Sequence, residues 1–148
     1  MSQLTTDLLR ELAQRMREHR ARFEKLGYCD AVVGIRQLGE GGRAWRLAFE
    51  VYECTAVDEV PEEALREFDF VLEADEALWD EMFDAIRSHG GADAPHTINT
   101  LSHLGDRMKV TYEDPEGHDK LYRYMATLQA FFDLAAEGKT ASQKGDSA

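Results

Sequence analysis

The feature that most constrains this chain is an alternation with a period of two between Arg43 and Cys54. Trp45, Leu47, Phe49 and Val51 fall on one side, and Arg46, Ala48, Glu50 and Tyr52 on the other. A strand with one apolar face needs a cover, and the sequence supplies helical periods both before and after it. Leu8, Leu12, Met16, His19, Phe23 and Leu26 recur every three or four residues and are closed by Gly27, which predicts one amphipathic helix. Leu78, Met82, Phe83 and Ile86 form a second stripe. Leu121, Met125, Leu128, Phe132 and Ala135 form a third, with Tyr124 and Phe131 beside it.

Between these stripes the chain reads as strands and short turns. Ala31 to Leu38, rich in β-branched residues, predicts a strand that reverses through the turn Gly39-Glu40-Gly41-Gly42 into the alternating segment Arg43 to Cys54. Pro61 to Glu67 predicts a single helical turn, and Phe68 to Glu73 a further strand. Asp75 is placed to cap a helix from Glu76 to Ser88, which Gly90-Gly91 stops. A short helix is expected over Thr97 to Leu104. Gly105-Asp106 then enters a last strand on which Met108, Val110 and Tyr112 share a face. The final helix opens at Pro115 and is expected to end at Gly138, leaving 139–148 as a disordered polar tail after a single domain, 1–138. Strands in the middle with helices around them predict an α+β fold: a mixed, mostly antiparallel sheet covered on one face by helices.

Charge excludes one class of partner. The net charge is −12, and the window from Asp58 to Asp84 holds twelve acids against one base, Arg66. Such a surface repels a phosphate backbone, so no nucleic-acid partner is expected. The window reads as a solvated face, or as a docking surface for a basic protein partner; a homodimer also stays open. No stretch of about 18 apolar residues occurs, so no transmembrane segment is expected. No secretory leader is recognised, and the ending Gly145-Asp146-Ser147-Ala148 is not a peroxisomal address; a cytoplasmic location is the expectation. Cys29 and Cys54 are then read as reduced packing residues.

Signatures of catalysis are sparse. His89, His96 and His103 repeat at intervals of seven, but two helical turns would separate successive rings by about 10.5 Å, too far to share one metal. No metal ligand, cofactor or catalytic nucleophile is assigned. Asp69 interrupts an aromatic run, and Glu50 and Glu53 lie on or near the sheet. What stands out is an excess of soft, large apolar side chains on elements that should converge, among them Trp45, Phe49, Phe70, Trp79, Met82, Phe83, Met108, Met125 and Phe132. A filled core and a lined cavity use the same residues, and both readings stay open at this point.

Over roughly Leu8 to Leu134 the chain resembles the sterol carrier protein type 2 family of small lipid-binding domains. The resemblance lies in the hairpin Val33 to Val51 with its glycine-rich turn, and in Phe68-Asp69-Phe70-Val71-Leu72-Glu73-Ala74-Asp75 running on through Leu78-Trp79-Asp80-Glu81-Met82-Phe83. It continues in Leu104-Gly105-Asp106-Arg107-Met108-Lys109-Val110 and in the final apolar helix, Tyr122 to Leu134. It implies a curved sheet with helices over one face and a hydrophobic tunnel between them. It further implies non-catalytic binding or transfer of a sterol, fatty acid or acyl-coenzyme A ester. The positions it places in the tunnel are Phe49, Phe70, Met82, Phe83, Met108, Met125, Leu128 and Phe132. Two alternatives remain: a small isomerase or hydratase of the ketosteroid-isomerase kind, using Asp69 with Tyr52 or Tyr112, and an accessory subunit docking a larger enzyme through 58–84.

Overall fold

The structure, a computed structural model, describes residues 2–39, 41–104 and 107–147; the side chains of 94, 103, 104 and 137–147 lie outside the described residues. Helices α1 (Thr6–Glu18) and α2 (Arg20–Leu26) precede strands β1 (Ala31–Leu38), β2 (Arg43–Glu50) and β3 (Glu53–Val60). A 3-10 helix (Glu62–Glu67) leads to β4 (Phe70–Asp75) and α3 (Glu76–His89). A 3-10 turn (Ala94–His96) and a π-helical turn (Thr100–Leu104) connect to β5 (Lys109–Thr111) and α4 (Pro115–Ser147). The strand order is β3-β2-β1-β4-β5. Every neighbouring pair is antiparallel except β1 and β4, which run parallel as the 3-10 crossover requires. The expected mixed, mostly antiparallel α+β sheet is the architecture found.

Three local expectations change. The helix read from Leu8 to Leu26 is broken at His19, whose backbone leaves the helical region at φ −109° and ψ 34°. The bend keeps Phe23 buried while Leu26 is turned out to solvent. The strand read from Arg43 to Cys54 stops at Glu50: Val51-Tyr52 is a turn, and Glu53–Val60 returns as a separate edge strand. Val51 therefore does not share the buried side of Trp45, Leu47 and Phe49, and is 48% exposed. Lastly, α4 does not stop at Gly138 but takes in 139–147, where a disordered tail was expected; Ala148 is outside the described residues. The entry Gly105-Asp106 also lies outside them.

Other local signals hold. Gly39 and Gly41 take the positive φ of the turn. The Asp75 carboxylate accepts the Leu78 N–H at 2.8 Å and starts α3. The first turn of α4 is pressed against the β4 entry, since a methyl at Gly117 would overlap the carbonyl of Asp69. Beside it, the Lys120 ammonium donates to the Asp69 carboxylate at 3.2 Å.

Candidate functional site

The inward face of the sheet is set by register. Leu47, Val33 and Phe70 lie side by side across β2, β1 and β4, and Trp45, Ile35 and Leu72 form the next row. All six are buried. Helix α3 lays Leu78, Trp79, Met82, Phe83 and Ile86 against this face, and α4 adds Leu121, Tyr124, Leu128, Phe131 and Phe132. Helix α1 closes one side with Leu9, Leu12 and Met16, and the connection into β5 closes another with Ile98, Leu101 and Met108. The two indoles are satisfied at their polar edges: Trp45 Nε1 donates to Thr6 Oγ1 at 2.8 Å and Trp79 Nε1 to the Arg36 carbonyl at 3.1 Å.

The eight positions singled out from sequence come together in this one interior. Phe49, Phe70, Met82, Phe83, Met108, Leu128 and Phe132 are buried, and Met125 is half-buried at its margin. Three of the four rings among them pack on other aromatic rings of this interior. Phe49 meets Phe131 edge-on at 5.2 Å, and Phe132 lies 6.0 Å from both Trp79 and Phe83. Among the described residues, surface cavities of 390 to 520 Å³ open outside this interior, and of the eight residues Phe49 alone borders one of these.

Phe131 belongs in the constellation, although the sequence placed it beside the main stripe of α4. It bridges Phe49 and Phe132, 5.5 Å from the latter. Consecutive aromatics on a helix point about 100° apart, so Phe131-Phe132 signals a helix buried over a wide arc rather than along one seam. Thr127, also buried on α4, had no comparable signal.

Asp69, Glu53 and the tyrosines singled out from sequence are engaged in structural contacts. Asp69 accepts the Val32 N–H at 2.7 Å as well as Lys120, which ties β1, β4 and α4 together. Tyr112 stacks on His118 with centroids 4.8 Å apart, and Arg20 sits over the Tyr52 ring. His89 Nδ1 lies 2.9 Å from the Ala85 carbonyl, while the side chain of His103 is outside the described residues. His96 stands between Asp93 at 2.5 Å and Glu81 at 2.7 Å, and those carboxylates, Asp93 foremost, raise its pKa above the ordinary 6.5. The Arg107 guanidinium, followed by His96, holds Glu81 down at about 2. Both cysteines are free, and burial pushes each thiol up to about 12. Among the described residues no group of three or more His, Cys, Asp or Glu side chains is placed to hold a metal ion. No helix among them is long and apolar enough to cross a membrane.

The acidic window is less charged in space than in sequence. Arg46 faces Asp58, Arg43 pairs with Glu59, Arg36 with both Glu62 and Glu73, and Arg107 with Glu81.

No protein-family model and no curated protein matches the chain. Solved structures do. The crystal structure of sterol carrier protein 2 superposes with a TM-score of 0.67 at 18% identity, over 90% of this chain and 96% of that one. The solution structure of a conserved hypothetical protein of Thermus thermophilus, described as a candidate sterol carrier protein, gives 0.65 at 19% identity, over 93% and 90%. At that identity what is shared is the course of the backbone, and it is shared over nine-tenths of the chain: this chain has the sterol carrier protein 2 fold.

Proposed function

We propose that the chain is a non-catalytic carrier of an apolar molecule, a sterol, fatty acid or acyl-coenzyme A ester, which it holds between the sheet and helices α3 and α4. It would work in the cytoplasm. The observation that carries this reading is the near-complete correspondence in fold with sterol carrier protein 2. The make-up of the interior adds to it, because thioether and aromatic side chains meet there from sheet and helices. Such contacts are non-directional, so an apolar guest can replace them at about the same transfer free energy, roughly 25 cal/mol per Å².

Phe131 packs α4 on the sheet through Phe49, and Phe132 packs it on α3 through Trp79 and Phe83. Loading therefore moves α4 away from Phe49 and Phe83, with its first turn held by Gly117 and Lys120 against Asp69. The eight residues from Phe49 to Phe132 named above would then line the guest.

Met125 offers the cleanest test, since it is half-buried and tolerates a charge better than the fully buried rings. Titration with a fluorescent fatty acid is expected to give saturable uptake by the wild type. Met125→Asp should weaken uptake about tenfold or more with an unchanged far-ultraviolet spectrum. Equal uptake by the variant would remove these residues from the ligand site.

A further inference from the structure

The face of the sheet turned away from the main core carries a second site, independent of the carrier reading. The 3-10 helix (Glu62–Glu67) and Phe68 fold back across β1 and β4 and build a small apolar core of their own from Leu65, Val71 and Ala44, with Val60 and Phe68 against it. Gly34 allows this close approach: a methyl there would come within 2.8 Å of Val71 Cγ2 and 2.9 Å of Leu65 Cδ2. Between this cover and β5 lies a cavity of 390 Å³, within the range that takes small organic ligands. Its floor is Leu65, Phe68 and Val71, and one wall is Tyr112.

The charges around that floor are uneven. Four carboxylates and two guanidiniums line the cavity, a net charge of −2. Arg36 is held from two sides, by Glu62 and by Glu73, the latter 2.7 Å away and only 7% exposed at the back of the site. Arg66 faces Glu113 at 3.4 Å. Glu63 has no hydrogen-bond or ion-pair partner among the described residues, and it borders this cavity and two adjoining ones. An anion would meet repulsion here, and a neutral apolar molecule would make no use of the Glu63 carboxylate, which stands exposed at the rim. A cation with an apolar body satisfies both parts, since its ammonium can approach Glu63 and Tyr112, whose ring also stacks on His118, while its body covers Leu65, Phe68 and Val71.

We propose that this cavity binds a small arylalkyl ammonium compound. The test is a methyl and amide NMR titration of the full chain with 2-phenylethylammonium, 2-phenylethanol and N-acetyl-lysine methylamide. The expected result is saturable shifts at Leu65, Val71 and Thr111 with the ammonium at millimolar concentration, weakened by added salt. The neutral alcohol should bind about tenfold more weakly, and Glu63→Gln and Tyr112→Ala should each weaken the ammonium about three- to fivefold. An alcohol as tight as the ammonium, shifts confined to other parts of the molecule, or no saturation would overturn the proposal. Equal binding of the lysine amide would overturn the small-molecule assignment by transferring the ammonium to a protein side chain.

Discussion

Val51 has φ of 58°, a conformation that a β-branched residue adopts only under constraint. The constraint is visible in its hydrogen bonds: its carbonyl accepts the Cys29 N–H at 2.7 Å, and its N–H donates to the Asp30 carboxylate at 3.3 Å. Its side chain is half-exposed and contributes little packing. Val51→Gly is therefore expected to stabilise the fold by about 1 kcal/mol, read from the midpoint and slope of a urea titration. The same residue explains why the β2–β3 turn was not legible in the sequence. A two-residue hairpin turn ordinarily advertises itself with Gly, Asn or Asp, and Val51-Tyr52 instead continues the alternation of the strand. Tertiary hydrogen bonds from Cys29 and Asp30 force the reversal, and no local pattern encodes them.

At the scale of elements, the Asp93–His96–Glu81–Arg107 network fastens the connection between α3 and β5 onto α3. His96 has a folded pKa raised above its unfolded value, so its contribution is complete below pH 6.5 and is lost as the pH rises through the raised value. Glu81 runs the other way and weakens the network only as the pH falls towards 2. Stability measured from pH 6 to pH 8 should thus decline through this network, and His96→Asn should remove that decline. The end of α4 gives a second test. The polar run from Lys139 and the glycines at 138 and 145 disfavour an isolated helix, so amides of 139–147 are expected to be the least protected of α4 in hydrogen exchange. Removal of 139–148 should shift the thermal midpoint by less than about 2 °C. Helices with strong caps and stripes, such as α3 with Asp75, were legible at the level of single residues. The bend at His19 was not, because its period continues unbroken on either side.

At the scale of the molecule, the apolar interior was legible because burial follows period, and the eight candidates do converge on one core. Whether such a core is filled or hollow is a matter of volumes, which a one-dimensional pattern does not carry. The structure supplies rings in contact with one another, so the carrier reading becomes a statement about exchange: a guest takes the place of contacts that α4 makes with the sheet. The most direct measurement is native mass spectrometry of protein freshly purified from cells, before and after denaturing extraction. The account predicts a population carrying one non-covalent lipid per chain, released on extraction and absent from Met125→Asp. Wild-type protein that emerges wholly as the bare chain, and stays so after incubation with fatty acid, sterol and acyl-coenzyme A, would contradict it.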